Sequence, residues 1–122
     1  VDNKGQPHAV PVCYVLEGEA VYFSIDQKPK QATHRPLKRI RNLIDNPLVA
    51  LIVDHYEEDW TKLGWVMVQG HAELLTHGDE HTRAQHRLKD RYPQLKKMKI
   101  NDLPVIAIRI KHIISWGDLA GG

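Results

Sequence analysis

The sequence predicts a single domain, mainly of antiparallel β structure with two helices, that closes into a small barrel. Strand-like segments are joined by short turns, which favours hairpin connections. Only two segments are predicted to be helices: the one ending near Pro47 has apolar residues at helical spacing, and the one ending near Pro93 is polar and exposed. At 122 residues the core is too small for a layered sandwich, and a closed barrel removes exposed strand edges.

Composition places the chain among ordinary globular proteins. Hydrophobic residues make up 42% and charged residues 26%, with a net charge of +2. These values exclude a disordered chain, and no apolar run is long enough for a membrane span. Cys13 is the single cysteine, which excludes an intrachain disulfide and a multi-thiolate metal site. We expect a cytoplasmic protein, and the start on Val1 rather than Met leads us to expect missing upstream residues.

The first half of the chain predicts a hairpin followed by a basic helix. Strands are expected at 8–16 and 20–26, on either side of a turn at Gly18. Pro11 removes a ladder donor, which predicts an edge or a bulge in the first strand. After a loop around Pro29, apolar residues three and four apart predict a helix from about residue 33 to Pro47.

The second half predicts four further elements. They are a strand at 48–54, a strand at 64–75, an exposed helix at 79–91 and a last strand at 103–114. The 48–54 strand is apolar nearly throughout, which predicts that both of its faces are buried. Without repeats or linkers, one domain spans residues 1–122.

The strongest functional signal is the basic segment that follows the second predicted strand. Six Lys or Arg residues and no acid lie between residues 28 and 41. Ser24 ends the strand, Lys28 and Lys30 precede the helix, and Lys38 and Arg41 share one helix face. Cations beside a helix N-terminus are suited to a phosphate. A solvated helix face and nucleic-acid binding are the alternatives, and binding to nucleic acid would fall steeply with salt.

Other candidate groups give weaker signals. His77 and His81 have the spacing of a metal pair, but their polar helix predicts surface residues and no metal site. Cys13 lies among apolar neighbours, which predicts a packed core residue. No side chain stands out as catalytic. Trp60 and Trp65 flank a loop, where packing at a barrel or dimer interface and a wall of a ring-binding cleft are equally consistent with the sequence.

An ordered series of motifs indicates a family. The strand end at 22–24, the cations at 28–30, the Asn-Pro at 46–47, the apolar strand at 49–53 and the strand from Val66 to Gly70 occur in order. Over residues 6–93 this series resembles the pyridoxamine 5′-phosphate oxidase-like split barrels, which bind flavin. The resemblance implies an FMN-binding-type split β-barrel and a homodimer with the cofactor between the subunits.

The resemblance also implies which residues hold the cofactor. The first strand would run beside the ring and ribityl chain, the second strand would line the same site, the cations would hold the phosphate, and the tryptophans would lie near the subunit seam. In that order the residues are Val10, Pro11, Val12 and Cys13; Phe23, Ser24 and Ile25; Lys28, Lys30, Lys38 and Arg41; and Trp60 and Trp65.

Departures from the vitamin oxidase pattern indicate one branch of the family. Trp65 and Met67 replace a glutamine and an arginine, and the carboxy-terminal segment that completes the vitamin site is missing, so vitamin oxidation is not expected. The segments 28–30, 53–56 and 59–60 resemble the deazaflavin-dependent proteins instead. Their cofactor, coenzyme F-420, has a strongly anionic tail that the cations of residues 28–41 would suit.

This resemblance implies an oxidoreductase that transfers hydride between reduced F-420 and a small unsaturated or quinone-like acceptor. His55, Tyr56 or solvent would provide the proton. The alternatives are an FMN-dependent reductase or oxidase of the same fold and a non-catalytic module that binds flavin or haem. Neither nucleic acid nor membrane is expected as a partner.

Overall fold

The sheet of the protein is antiparallel and has five strands. The computed structural model describes residues 1–7, 9–24, 38–97 and 103–117. The strand order is β1-β2-β5-β4-β3, and the strands are β1 (Tyr14–Glu17), β2 (Ala20–Ser24), β3 (Leu48–His55), β4 (Gly64–Leu75) and β5 (Val105–Gly117). The helices are α1 (Lys38–Asp45), α2 (Asp79–Arg91) and the single-turn α3 (Gln94–Lys97), with a 3-10 turn at Trp60–Lys62. The predicted mainly antiparallel fold with few helices is confirmed.

Alternation along β2 and β5 gives the sheet two different faces. Along each strand, every second side chain packs under α2, and the side chains between them form a second cluster on the opposite face of the sheet. The first group, the helix-side core, contains Val15, Ala20, Tyr22, Ala84, Leu88, Leu95, Val105 and Ala107. The second group, the groove-side cluster, contains Val21, Phe23, Ile106 and Ile108.

Helix α2 buries one stripe against the helix-side core, so the expectation of an exposed helix is wrong for that stripe. Ala84 and Leu88 are both 0% exposed. His81 is 5% exposed, and its Nε2 donates to the Leu103 carbonyl at 2.8 Å. Gln85 Nε2 donates to the same carbonyl at 2.9 Å. The expectation that His81 lies on the surface is therefore wrong, because this side of the helix packs against the sheet.

An ionic network joins α2 to the strands beneath it. Glu80 Oε2 accepts a hydrogen bond from the Tyr22 hydroxyl at 2.6 Å, and its Oε1 accepts one from Arg109 Nη2 at 2.8 Å. Arg109 also bonds Glu73. The hydrogen bonds from Arg109 and then from Tyr22 lower the pKa of Glu80 to about 2, whereas burial raises the pKa of Tyr22. Glu80 therefore stays ionised and fixes the first turn of the helix.

Strand β3 differs from its prediction. Residues 48–54 were expected to be buried on both faces, but Leu48 is 60% and Ile52 is 63% exposed. Val49 and Leu51, whose side chains point to the opposite face of the strand, pack against the groove-side cluster. The prediction is wrong because β3 is an edge strand whose outer face has no cover among the described residues.

Strand β1 is shorter than predicted and its free edge is capped. Pairing with β2 begins at Tyr14, and residues 9–13 are not assigned to a strand. The Tyr92 hydroxyl accepts from Tyr14 N at 3.2 Å and donates to Tyr14 O at 3.0 Å, while Arg91 Nη1 donates to the same oxygen at 2.7 Å. These side chains satisfy the backbone groups that an edge strand would otherwise expose.

The sheet is strongly curled. Tyr14 of β1 and Leu51 of β3 belong to opposite edges, yet both pack against the groove-side cluster. The edges of a flat five-stranded sheet would lie roughly 19 Å apart. The curl therefore creates a concave side. Of the helices in the described ranges, none has the length and apolarity to cross a membrane.

Candidate functional site

A groove of about 1240 Å³ lies on the concave side of the sheet. It is bounded by the segment before β1, by α1 and by parts of the other four strands. Its walls are mostly apolar, and they include Val12, Phe23, Leu43, Val49, Leu51, Ile106 and Ile108. A concave, mainly apolar surface with few polar groups is typical of a small-molecule site.

Four of the predicted cofactor residues line this groove together. Val10, Pro11 and Val12 come from the segment before β1, and Phe23 comes from β2. Val10 is 39% exposed, whereas Phe23 is 8% exposed and belongs to the groove-side cluster. The hairpin fold brings the two segments side by side.

The opposite wall contains residues that the sequence did not indicate. Leu43 and Asn42 of α1 face the groove, as do residues of β3. Asn42 is only 7% exposed, so its amide is a nearly buried polar group in an apolar wall. The Asn42 carbonyl accepts from Asn46 N at 2.8 Å, which closes the helix before β3 begins.

Two predicted site residues face away from the groove. Ser24 pairs with Val105 and lies two residues after Tyr22 in β2. Its side chain therefore points to the same face as Tyr22, which is the helix side of the sheet. Its buried Oγ has no hydrogen-bond partner among the described residues. Cys13 is exposed and does not line the groove. The prediction of a packed core position for Cys13 is wrong, because pairing starts only at the next residue.

Both predicted tryptophans lie away from the groove. Trp60 is on the 3-10 turn and is 74% exposed. Trp65 is half-buried and pairs with Trp116 of β5 and with Asp54 of β3. Neither tryptophan lines the groove, so their expected place at a subunit seam stays a prediction.

The predicted phosphate site falls largely outside the described residues. Ile25, Lys28 and Lys30 are not described, and for Lys38 only the backbone is, as the first residue of α1. Arg41 is exposed on the same helix and does not line the groove. A phosphate held by these cations therefore stays a prediction.

On the outer face of the sheet, aligned residues of β3, β4 and β5 form an apolar surface. Register places Ile52, Met67 and Ile114 in one row, with Trp65 and Trp116 paired in the next. Ile52, Ile114 and Trp116 are 63%, 43% and 54% exposed. We call these five residues the seam face. Its exposed apolar side chains are typical of an interaction site.

Next to the seam face the same strands become polar. Gln69 pairs with His112, and His71 lies two residues further along β4. Pairing then shifts, because Gly70 pairs with Ile110 and leaves Lys111 as an inserted residue. All four residues border the groove, but the register directs the Gln69, His71 and His112 side chains to the outer face, with Met67 and Ile114. In the sequence, these residues are visible only as polar positions within two otherwise apolar strands. The strand register is needed to show that the polar positions of β4 and β5 lie next to each other.

Gly70 is required at this bulge. A Cβ there would lie 2.1 Å from the Arg109 carbonyl oxygen, which is far inside van der Waals contact. The backbones of β4 and β5 can approach each other here only without a side chain. The bulge is thus built into the sequence, and bulges often re-aim side chains beside active sites.

Two further expectations concern acid–base groups and metals. His55 Nε2 lies 2.7 Å from Glu57 Oε1, and Tyr56 is 71% exposed. Neither His55 nor Tyr56 lines the groove. Among the described residues, no group of three or more His, Cys, Asp or Glu side chains could hold a metal ion.

Comparison with known families shows the family of the chain. A family model for pyridoxamine 5′-phosphate oxidase matches residues 1–114. The chain belongs to this family. A search of curated proteins finds no match. The family-level resemblance seen in the sequence is confirmed, and the finer assignment to its F-420 branch stays a hypothesis.

Solved structures share the fold. A conserved hypothetical protein from Mycobacterium tuberculosis has a TM-score of 0.73 and 20% identity, over 96% of this chain and 72% of that one. A heme binding protein from Mycobacterium smegmatis has a TM-score of 0.73 and 24% identity, over 96% of this chain and 46% of that one. An FAD-binding protein from Mesorhizobium loti has a TM-score of 0.66 and 23% identity, over 91% and 75%. At such identities the fold is what they share.

Proposed function

We propose that the groove binds the deazaflavin coenzyme F-420 and that the protein uses it to transfer hydride to or from a small unsaturated or quinone-like molecule. One observation carries the proposal. Val10, Pro11, Val12 and Phe23, which the family pattern assigns to the cofactor ring, all line the same groove. Separate parts of the sequence thus meet at one apolar surface.

The chemical character of the groove fits a flat ring. Apolar walls formed by Val12, Phe23 and Leu51 can cover the faces of a ring and exclude water. The nearly buried Asn42 amide can hydrogen-bond a polar ring edge, which an apolar wall alone would leave unsatisfied. When bound, the deazaflavin ring would supply the hydride chemistry, and the protein would supply orientation.

The choice of F-420 rather than FMN rests on charge. Six cations and no acid occupy residues 28–41, more than a single phosphate needs. The acidic tail of F-420 would use them. FMN remains the runner-up, as the cofactor of a reductase or oxidase with the same groove.

Fluorescence titrations with F-420 and with FMN test this proposal. We expect F-420 to bind more tightly, and Lys28→Ala with Lys30→Ala to weaken its binding about tenfold or more. The double variant Lys4→Ala with Lys96→Ala, which changes two exposed lysines elsewhere, is the matched control and should bind normally. Preference for FMN would move the function to flavin chemistry, and equal affinity of both double variants would contradict the phosphate assignment.

We further propose that the active form is a homodimer joined through the seam face. Ile52 belongs both to the seam face and to the groove lining, so a second subunit there would border the groove. Ile114→Asp would put a charge into this interface and should give a monomer in light scattering. Leu16→Asp, an exposed apolar residue on β1, is the control and should stay dimeric. If the wild type is a monomer, or if the Ile114→Asp variant is still a dimer, the proposed dimerisation through the seam face is contradicted.

A haem-binding module is the second candidate function. The observation that favours it is the presence of two imidazoles, His71 and His112, which are diagonal neighbours on the outer face next to the seam face, since histidine is a common haem ligand. Titration with hemin would then give a sharp Soret band that His71→Ala or His112→Ala shifts or abolishes. A Soret band unchanged in both variants would argue against these residues as ligands.

A further inference from the structure

Asn42 is a nearly buried polar residue in the wall of the groove. It is 7% exposed, and the next residue of α1, Leu43, packs against the groove-side cluster. Arg41 and Asp45, on other sides of the same helix, are exposed. The face of α1 that carries Asn42 and Leu43 is therefore the face turned toward the groove, and both residues line it.

The side-chain amide of Asn42 has no hydrogen-bond partner among the described residues. The backbone carbonyl of Asn42 accepts from Asn46 N at 2.8 Å, which fixes the helix turn but leaves the side chain unused. The amide is also not one of the fully enclosed polar atoms that lack a partner, as Ser24 Oγ is. Its oxygen and nitrogen therefore reach the surface of the groove. A polar group in such a place is costly unless a ligand or water pairs with it.

The chemistry of an amide narrows the kind of group that can pair with it. A primary amide presents one acceptor, its carbonyl oxygen, beside donors on its nitrogen. The matching group is an N–H next to a C=O, as in a cyclic lactam or imide, because two parallel hydrogen bonds then form. Asparagine uses the same two-bond pairing when it reads the edge of adenine. The nearby walls, with Val12, Phe23 and Leu51, can pack only against the faces of a ring.

We propose that Asn42 determines the ligand specificity of the groove by pairing with the N–H and C=O of a cyclic imide at the edge of a planar ring. The inference rests on the proposed function, because it takes the groove as the cofactor site. F-420 and FMN both carry such an edge on their pyrimidinedione ring. A ring without this edge would displace water from the amide and leave it unpaired, so the groove disfavours it.

Titrations with lumichrome and with phenazine test this pairing. Both are flat molecules of three rings without a phosphate tail, but only lumichrome carries the imide edge. We expect the wild type to bind lumichrome about tenfold or more tightly than phenazine, and Asn42→Leu to lose this preference through weaker lumichrome binding. Phenazine should bind Asn42→Leu at least as tightly as the wild type. The matched control is Asn3→Leu, at an exposed asparagine outside the groove, which should keep the wild-type preference.

The thermal midpoint separates ligand recognition from a role of the amide in the fold. Leucine has a higher helix propensity than asparagine and needs no hydrogen-bond partner. Asn42→Leu should therefore unfold at the wild-type temperature or above it. A lower midpoint would overturn the proposal, because it would show that the fold itself uses the amide.

Three binding results would also overturn it: no lumichrome binding up to the solubility limit, equal affinity of the wild type for the two rings, or wild-type lumichrome affinity in Asn42→Leu. F-420 titration of the same proteins separates this proposal from the proposed function, since lumichrome has no tail for the cations of residues 28–41. Absence of F-420 binding, with lumichrome binding as expected, would remove the proposed function and keep the role of Asn42. Equal F-420 affinity in the wild type and Asn42→Leu would keep the function and remove that role.

Discussion

The two faces of the curled sheet are built from neighbouring residues but have opposite properties. On the helix side, Leu88 and Val105 are 0% exposed and α2 covers the strands. On the concave side, alternate residues of the same strands form the walls of an open groove. The comparison indicates that the helix side holds the fold together, whereas the concave side is left for a ligand.

The polar groups of the two sides show the same contrast. Glu80 on the helix side accepts bonds from both Tyr22 and Arg109, so its charge is satisfied within the protein. The walls of the groove are mostly apolar. Paired charges fix the helix in place, whereas an apolar concave surface is suited to a ligand.

The largest difference should come from removing buried volume on the helix side. Leu88→Ala should lower the free energy of unfolding by about 2–5 kcal/mol, because it leaves a cavity under α2. Ile52→Ala, at an exposed position of β3, should change it by about 0.5 kcal/mol or less if measured on monomer. Urea denaturation measures both. An equal loss of unfolding free energy in the two variants would contradict the conclusion that the helix side, and not the outer face of β3, holds the fold together.

The next effect should come from the ionic network. Glu80→Gln should cost about 1–3 kcal/mol of unfolding free energy at neutral pH. The folded protein lowers the pKa of Glu80 from 4.5 to about 2, so its stabilisation is present above pH 4.5 and is lost as pH falls toward 2. Urea denaturation at several pH values should show that the free energy of unfolding falls less in the variant than in the wild type as the pH is lowered over this range. If the free energies of unfolding of the two proteins depend on pH in the same way, the ionic network is not the cause.

A smaller effect is expected at the capped edge of the sheet. Tyr92→Phe removes the hydroxyl that bonds both backbone groups of Tyr14, which should cost about 0.5–1.5 kcal/mol. Hydrogen exchange at the Tyr14 amide should become faster, while exchange in the centre of β5 stays slow. Unchanged protection of Tyr14 would show that the hydroxyl does not protect this edge.

Local sequence patterns predicted several elements well. The bounds of β4 and α2 match their predictions, because Gly64 and Asp79 mark clear starts and the periodicity continues to Leu75 and Arg91. The groove residues Val10, Val12 and Phe23 were found through the family resemblance. A local pattern or a motif carries such information because it depends on near neighbours in the chain.

Features that depend on strand order and register were missed. The apolar sequence of β3 predicted burial on both faces, but an edge position leaves Ile52 exposed. His81 was expected on the surface because its neighbours are polar, yet Leu103 accepts its hydrogen bond from across the core. The meeting of His71 with His112 also depends on a register that the sequence does not encode locally.

The most direct measurement is the affinity for F-420 of two tryptophan variants, one on each side of the hairpin. Val10→Trp fills the groove from a position that is 39% exposed, and Leu16→Trp adds the same bulk outside the groove at a position that is 56% exposed. With thermal midpoints like the wild type, Val10→Trp should weaken F-420 binding about tenfold or more and Leu16→Trp should not. Wild-type affinity in Val10→Trp would contradict the assignment of the groove to the cofactor.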